Sequence, residues 1–313
     1  MFPYKYKFVQ TKPSVFLQNL REDKNLIEVV WSDSAEDSTE DSAKYPIQFI
    51  SDESAYEKVN IITDLYTETA RMKARIYNLE SPLQFWTKNK KMIQTEAYRR
   101  FGKVSNYTLR EVIYFICKEA TAFSPVLSKC VYDHLLPECG GSVLDPFSGW
   151  GDRSIGALGS EKVIKYQGVD CNKDLTEGYK KIKSELDTGD KLTFTILPFE
   201  EFKTDELYDL IFTSPPFFDF EIYSESKLQS ISGKKDYSDW FTNWMAPVLK
   251  KMISFLKPRG IIAIHIGSTF RSPNLHEDVK KYLLDEKCTY IQQIDCSVRG
   301  KRSISIWVFQ NGT

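Results

Sequence analysis

The sequence predicts an α/β fold with a doubly wound, mostly parallel sheet, preceded by an N-terminal, mostly helical α+β extension. Two observations predict the sheet. From residue 143 onwards, apolar segments of strand length alternate with segments of helical spacing, and this alternation is typical of parallel βαβ units. The last two strands, 290–297 and 303–309, are separated by a short turn, which favours an antiparallel hairpin at the C-terminus.

The composition indicates an ordinary soluble globular protein. The chain has 313 residues, enough for one large domain and a smaller one, and 42% of them are hydrophobic. No apolar run reaches the length of a membrane span, and residues 1–5 do not begin a signal peptide, so we expect an intracellular protein, in the cytoplasm or nucleus, without membrane contact. The six cysteines form no Cys-x-x-Cys pair and only three histidines are present, so reduced thiols are expected and no metal site is indicated.

The N-terminal extension combines short strands with helices. Apolar and aromatic residues alternate with polar ones at 4–9 and 26–31, and this alternation predicts two strands. Residues 32–42 are rich in Ser, Asp and Glu without apolar spacing, which predicts an exposed loop. Helical spacing follows over 52–77, and Ser81-Pro82 opens a second helix because Pro is favoured in the first helical turn.

A basic zone lies within the extension. Between Arg71 and Arg110, ten basic residues face only two acidic ones, Glu80 and Glu96, so this window carries a net charge of +8 on a chain whose total is −1. Aromatic residues are interleaved with the cations, a combination that suits contact with phosphates and stacking on bases. The zone is the predicted nucleic-acid contact; the alternative is an aromatic core beneath a solvated charged face.

The domain boundary is expected between residues 118 and 119, where the regular part of the chain begins. The predicted strands run at 143–145, 165–170, 192–197, 209–214 and 261–266, ahead of the final hairpin. The predicted helices are 108–120, 126–136, 153–159, 174–186, 237–256 and 275–284. Each strand is followed by a helix or a short crossover, which is the order that a doubly wound sheet requires.

A glycine-rich turn joins the first of these strands to the helix after it. The strand ends at Asp145, and Pro146-Phe147-Ser148-Gly149-Trp150-Gly151 leads directly into the helix. A strand, a glycine-rich turn and a helix N-terminus together let the backbone approach a nucleotide-like ligand closely. The third glycine of the dinucleotide fingerprint would fall at Ser154, so a nicotinamide cofactor is not indicated.

A second motif, Ser214-Pro215-Pro216-Phe217, ends the strand at 209–214. Phe-x-Gly-x-Gly, here Phe147 to Gly151, followed by this motif resembles the pattern of the S-adenosylmethionine-dependent amino-methyltransferases, which methylate exocyclic nitrogens of nucleobases. The resemblance covers roughly residues 119–313. It implies the seven-stranded, Rossmann-like sheet of class I methyltransferases, closed by the C-terminal hairpin.

The resemblance implies S-adenosylmethionine as the cofactor and assigns residues to it. Asp145 is expected near the methionine amino group, Asp170 at the ribose hydroxyls, and Phe199 or Glu200 beside the adenine. Residues 123–125 match a segment that packs against the methionine end. The expected cofactor contacts are Phe123, Ser124, Pro125, Asp145, Pro146, Phe147, Gly149, Gly151, Asp170 and Phe199.

The same resemblance assigns the transfer step to Ser214, Pro215, Pro216 and Phe217. An exocyclic amine is a weak nucleophile because its lone pair is delocalised, so it has to be held in line by acceptors such as the Ser214 hydroxyl and the Pro215 carbonyl, with Phe217 stacked on the base. Family members with Ser at the first position usually act on cytosine N4, and those with Asp or Asn on adenine N6, which favours cytosine here. The absence of a Pro-Cys pair argues against transfer to cytosine C5.

Substrate contacts are expected after the second motif and in the basic turn of the hairpin, from Phe218, Asp219, Arg299, Lys301 and Arg302. The residues between the two motifs suffice only for the elements of the sheet itself. Recognition of the substrate therefore falls to residues 1–118 or to a partner protein. DNA is the preferred substrate, and the alternatives are an RNA base methyltransferase or a non-catalytic subunit that binds nucleic acid for a partner.

Overall fold

The computed structural model describes residues 1–31, 47–298 and 304–312. The predicted acidic loop at 32–42 lies outside the described residues. Within them, no helix combines the length and the apolar character that crossing a membrane requires.

The described part of the chain contains eleven strands and eleven α-helices. The strands are β1 (Ile27–Trp31), β2 (Ile47–Ser51), β3 (Arg75–Ile76), β4 (Gly141–Asp145), β5 (Val163–Asp170), β6 (Leu192–Ile196), β7 (Tyr208–Thr213), β8 (Glu221–Ile222), β9 (Leu256–His265), β10 (Thr289–Val298) and β11 (Ile304–Gln310). The α-helices are α1 (Pro13–Glu22), α2 (Ala55–Lys58), α3 (Asp64–Arg71), α4 (Pro82–Phe101), α5 (Asn106–Ile116), α6 (Pro125–Leu135), α7 (Asp152–Gly159), α8 (Thr176–Leu186), α9 (Tyr237–Trp240), α10 (Ala246–Ser254) and α11 (Leu275–Asp285). A π-helical turn, Phe241–Met245, joins α9 to α10, so the helix predicted over 237–256 forms with a local widening.

One sheet of nine strands organises the described residues, in the order β1-β2-β10-β11-β9-β7-β4-β5-β6. Strands β9, β7, β4, β5 and β6 run parallel to one another, and β11 is antiparallel to both β9 and β10. Seven of the nine strands, from β10 to β6 in this order, form the predicted Rossmann-like sheet with its C-terminal hairpin, and β1 and β2 extend it beyond β10. The chain winds from β4 outwards to β6 and then returns to β7 on the other side of β4, which creates a switch point between β4 and β7.

Successive residues of the central strands point to opposite faces, and each face has its own core. Val143, Leu210 and Phe212 pack in the cluster that includes α1, α6, α7 and α8. Leu144 and Ile211 pack in the second cluster, which includes α10 and α11. The near-continuous apolar runs of these strands follow from burial on both faces.

The N-terminal extension is mostly helical with short strands, as predicted, and it is packed onto the sheet. Strand β2 pairs parallel with β10, so the β1–β2 hairpin extends the sheet edge. The strand expected at 4–9 is instead a 3-10 helix, Lys5–Lys7, because the backbone N–H of Lys5 donates to Glu68 Oε2 at 2.6 Å and its ammonium pairs with Asp64. Side chains of α1 belong to the same core cluster as the sheet, and the boundary at residue 118 stays a prediction.

The basic zone is much less positive in space than in sequence. Seven of its ten cations form ion pairs, four of them with acids that lie outside the window in the chain. Arg110 is 1% exposed and pairs with Glu68 and Glu119, while Arg71 pairs with Asp64 and Glu119. The other paired cations are Lys73, Arg75, Lys88, Arg99 and Arg100. Among the described residues, the cations of the window without an ion pair are Lys90, Lys91 and Lys103.

Candidate active site

A cavity of about 490 Å³ lies at the carboxyl ends of the parallel strands, at the switch point. The turn after β4 and the motif after β7 both line it, although they are far apart in the sequence. Carboxyl ends of parallel strands meet at one edge of a sheet, and this crevice is where doubly wound folds bind ligands. The two motifs that predicted the fold therefore face a common space.

The glycine-rich turn has the backbone that its residues predict. Gly149 and Gly151 have φ angles of +55° and +90°, in the left-handed region that favours glycine. Gly149 and Pro146 line the cavity. Gly151 caps the N-terminus of α7 away from the cavity lining, and a Cβ there would approach Ile182 to 3.0 Å.

Asp145 lies beneath the turn rather than in the cavity, and its carboxylate is already fully engaged. Arg153 donates from Nε to Oδ2 at 2.8 Å, Tyr166 donates to Oδ2 at 2.7 Å, and Thr213 donates to Oδ1 at 2.7 Å. The side chain is 0% exposed and does not line the cavity. The expected contact with the methionine amino group is thus unavailable, because Arg153 supplies the cation that this carboxylate needs.

Asp152 is the acid that faces the cavity near Ser124 and Arg153. It begins α7 and is 3% exposed. By distance and angle, neither its Oδ1 nor the Thr63 hydroxyl forms a hydrogen bond with a described residue, although Thr63 lies close enough to lower the pKa of the carboxyl slightly against the effect of burial. Burial raises the pKa of the Asp152 carboxyl to about 7, so the charged form is costly until a cation or donor reaches it. An unpartnered buried carboxylate in a cavity is suited to hold an ammonium group.

Asp170 ends β5 and lines the cavity as predicted from its position. Its two oxygens accept the backbone N–H groups of Gly149 and Asn172, each at 2.8 Å. Burial raises its pKa to about 6. A carboxylate has about four acceptor positions, so these two bonds fix its orientation and leave lone pairs for a pair of hydroxyl donors.

Aromatic side chains form one wall of the cavity. Phe147 lies 6.0 Å from Phe199 and 5.5 Å from Trp244, measured between ring centroids. The indole N–H of Trp244 donates to Glu200, which also lines the cavity. Phe199 is buried and also lines the cavity. Flat aromatic walls beside a polar rim suit a purine ring.

The segment at 123–125 contributes residues both to the cavity and to the start of α6. Phe123 and Ser124 line the cavity. The Ser124 hydroxyl accepts the N–H of Leu127 at 3.2 Å and thereby caps α6. Pro125 is buried at the first position of α6, where its missing N–H costs nothing, and it does not line the cavity.

The second motif lines the opposite side of the cavity. Ser214, Pro215, Pro216 and Phe217 all contribute to it. The Ser214 hydroxyl lies 2.9 Å from Nδ1 of His265, the last residue of β9. Thr213 and Ile264 are paired in parallel register, so the residues that follow them lie side by side. The two prolines present carbonyl oxygens and no N–H groups.

None of the expected substrate contacts that the structure describes lines the cavity. Phe218 has a φ of +58° and packs against Tyr237 and Trp240, outside the cavity lining. Asp219 forms an ion pair with Arg271 at 2.5 Å and also does not line the cavity. The predicted contacts at the hairpin turn, Arg299, Lys301 and Arg302, lie outside the described residues.

A polar chain tethers the loop after the second motif to the segment after α5. Glu221 accepts the backbone N–H of Thr121 at 3.0 Å and the hydroxyl of Tyr223 at 2.9 Å. The indole of Trp150 donates to the Thr121 carbonyl at 3.0 Å, and its ring lies 5.9 Å from that of Tyr223. Burial raises the pKa of Glu221. These side chains line the cavity, which is therefore partly covered by residues distant in the chain.

Asp152, His265 and Trp244 line the cavity without a role predicted from the sequence. The sequence signal for His265 is its place as a polar residue near the end of the predicted strand at 261–266. Its proximity to Ser214 follows from the order of the strands in the sheet. Asp152 directly follows the last glycine of the turn, where an acid complements a helix N-terminus and is usually explained by that alone. Trp244 lies in the π-helical turn, and nothing in its local pattern indicates the cavity.

Comparison with known proteins gives structural matches at low sequence identity. No protein-family model matches the chain, and no curated protein matches it in sequence. Solved structures that resemble it include the N-methyltransferase NodS from Bradyrhizobium japonicum WM9 with S-adenosyl-l-homocysteine, with a TM-score of 0.43, 11% identity and coverage of 71% of this chain and 99% of that one. A putative rRNA methylase from Clostridium thermocellum matches with a TM-score of 0.42 and 18% identity, over 62% of this chain and 100% of that one. The fold assignment rests on the strand order described above.

Proposed function

We propose that the protein transfers a methyl group from S-adenosylmethionine to an exocyclic amino group of a nucleobase. The observation that carries the proposal is the meeting of the glycine-rich turn and Ser214-Pro215-Pro216-Phe217 around a single cavity at the switch point. The first motif suits a nucleoside and the second suits an amine, and transfer requires the two to be adjacent.

The cavity residues fit the cofactor group by group. Asp170 is oriented by two backbone N–H groups and has lone pairs for the ribose hydroxyls. Gly149 lets the backbone lie close to the ligand, since a Cβ there would meet only the Phe147 carbonyl oxygen, at 3.8 Å. Phe147 and Trp244 offer a wall for the adenine. We assign the methionine ammonium to Asp152, whose buried Oδ1 has no described partner, in place of Asp145.

The second motif holds the amine that accepts the methyl group. When bound, S-adenosylmethionine supplies an electrophilic methyl group: the amine lone pair forms the new N–C bond, the C–S pair passes to sulfur, and one amine proton leaves to water. Ser214 and the Pro215 carbonyl accept the amine N–H groups, which localises the lone pair on nitrogen. Phe217 stacks on the base, and positioning supplies most of the rate.

DNA is the proposed substrate, with cytosine N4 favoured over adenine N6 because the motif begins with Ser214. An RNA base is the second candidate. Exposed aromatic side chains on the helical pair α4–α5 favour single-stranded nucleic acid in either case, because any base can stack on them. This aromatic surface consists of Tyr98, Phe101, Tyr107, Tyr114 and Phe115, which are between 42% and 69% exposed.

The test is transfer of a labelled methyl group from S-adenosylmethionine to single-stranded DNA, duplex DNA and total RNA, with the modified nucleoside identified by mass spectrometry. We expect N4-methylcytosine in DNA. Detection of N6-methyladenine, or of label in RNA alone, would support the proposed reaction but contradict the proposed substrate. Absence of label together with absence of cofactor binding in calorimetry would favour the non-catalytic subunit instead.

The matched variant is Ser214→Ala, with Ser268→Ala as the control. Loss of one hydrogen-bond acceptor for the amine is expected to lower kcat about 10- to 100-fold, while the Kd for S-adenosylmethionine stays unchanged. Ser268 also bonds a histidine, at 2.6 Å to His276, but it does not line the cavity. Normal turnover in Ser214→Ala would contradict the assigned role.

A further inference from the structure

His265 lines the cavity beside Ser214, and its surroundings are unusual for a histidine. Its Nδ1 is 2.9 Å from Ser214 Oγ. The rings of Phe123 and Phe217 flank the imidazole, with centroids at 5.5 and 5.4 Å. Among the described residues, its Nε2 has no hydrogen-bond partner. The imidazole is therefore held by aromatic packing and by one bond to the serine.

We propose that His265 is a positioning residue that fixes the Ser214 hydroxyl as a hydrogen-bond acceptor for an N–H group. The proposal rests on the proposed function and names the residue that makes Ser214 an acceptor for that amine. A serine hydroxyl has one proton and two lone pairs, and it can present either to a ligand. When the proton is directed to Nδ1 of His265, the lone pairs of Ser214 remain for the substrate. The pocket then selects a primary amine.

The environment favours the neutral form of this imidazole, which is the form that an acceptor requires. Burial, with a smaller contribution from the nearby guanidinium of Arg153, lowers the pKa of His265 to about 3. Arg153 is the charged group that acts on the ring; the packing groups on its other sides are aromatic. A protonated ring would donate from Nδ1 to Ser214, and the serine proton would then point toward the amine and repel it.

The pairing has a consequence for substrate selection. An acceptor at Ser214 attracts an exocyclic amine that carries N–H, whereas an unprotonated ring nitrogen would bring one lone pair against another. The proton released by the amine leaves to water and His265 stays neutral throughout. Transfer to a ring nitrogen that lacks a proton is therefore disfavoured by the same contact.

The decisive measurement is the tautomer of His265, read by nitrogen NMR of protein labelled with ¹⁵N-histidine. The chain has three histidines, so the His265→Asn variant assigns its signal. We expect a proton on Nε2 and a bare, hydrogen-bonded Nδ1 between pH 5 and 8, with the Nδ1 signal shifted in Ser214→Ala. A proton on Nδ1, or an imidazolium at pH 7, would overturn the proposal. This readout needs no substrate, so it separates the inference from the proposed function.

The kinetic test uses a pair of substitutions that differ in one acceptor. His265→Phe keeps a flat ring and removes Nδ1, and we expect kcat to fall about 10- to 100-fold with an unchanged KM for the cofactor. His265→Asn places an amide oxygen near the position of Nδ1 and should recover most of the rate. The control is His276→Phe, since the His276–Ser268 pair has the same bond outside the cavity. Equal rates in His265→Phe and the wild type would contradict the role.

Discussion

Two aspartates at the glycine-rich turn show how differently one residue type behaves in one neighbourhood. Asp145 is buried but saturated by Arg153, Tyr166 and Thr213, so it holds the turn and the strand ends together. Asp152 is buried and lacks such partners, and burial raises its pKa. A carboxylate without partners is destabilising in the empty cavity and becomes favourable when a cation binds.

The Asp152→Asn variant tests this assignment. We expect the affinity for S-adenosylmethionine to fall about 10- to 100-fold at pH 8, because a charge-assisted hydrogen bond is lost. Binding of 5′-methylthioadenosine, which lacks the ammonium group, should be unaffected. Calorimetry with both ligands makes the comparison, with Asp174→Asn as an exposed control that pairs with Lys73. Equal losses for the two ligands would exclude a contact with the ammonium.

The same variant should have the opposite effect on stability. The folded pKa of this carboxyl, about 7, exceeds its unfolded value, so the folded state binds the proton more tightly. The unliganded protein therefore loses stability as the pH rises from the unfolded pKa to the folded pKa, and the loss is complete above about pH 7. Asp152→Asn removes that loss and is expected to raise the free energy of unfolding at pH 8 by at most about 4 kcal/mol. Cofactor affinity of the wild type should fall as pH drops below about 7, as Asp152 is protonated.

At the scale of elements, Gly156 allows α7 to pack closely against α6, and this glycine is not part of the dinucleotide fingerprint. The fingerprint position is Ser154, but Gly156 lies two residues later, at the contact between α7 and α6. A Cβ at Gly156 would lie 2.5 Å from Ser128 Cβ and 2.9 Å from the Pro125 carbonyl oxygen. Close approach of these two helices brings Ser124 and the turn to the same cavity.

Replacement of Gly156 by Ala is expected to lower the free energy of unfolding by about 1 to 3 kcal/mol, because the helices have to separate to admit the methyl group. Urea denaturation measures this effect. The control is Gly189→Ala, where a Cβ meets nothing within 4 Å and φ is not positive. A destabilisation no larger than that of Gly189→Ala would show that the contact relaxes freely.

At the scale of the whole molecule, the extension acts on the cavity through contacts that only folding creates. The short pairing of β3 with β8 joins it to the loop after the second motif. Two of its cations, Arg71 and Arg110, are buried and paired with acids, and five more form ion pairs nearer the surface. The aromatic surface of α4–α5 is exposed as well. We therefore expect nucleic acid to bind there by stacking more than by charge.

Substitutions on the aromatic surface test this expectation. Tyr114→Ala and Phe115→Ala should each weaken binding of single-stranded DNA or RNA about 5- to 100-fold, since stacking on an aromatic ring contributes about 1–3 kcal/mol per base. Fluorescence anisotropy at several salt concentrations measures both affinity and salt slope. With three unpaired lysines in the zone, the slope of log K against log salt should be no steeper than about −2. Ile164→Ala, an exposed apolar residue on β5, is the control, and a steep slope with no loss in the aromatic variants would contradict stacking.

Seven strands of the sheet, its C-terminal hairpin and the two motifs could be predicted from the sequence, because apolar periodicity and glycine or proline chemistry are local properties. The sequence also placed Asp170 and Ser214 at strand ends. The different surroundings of Asp145 and Asp152 could not be predicted in this way, since they depend on which cations and donors fold against each carboxylate. The same holds for the basic zone, four of whose cations pair with acids from other segments, and for His265, which meets Ser214 only because β7 and β9 are neighbours in the sheet.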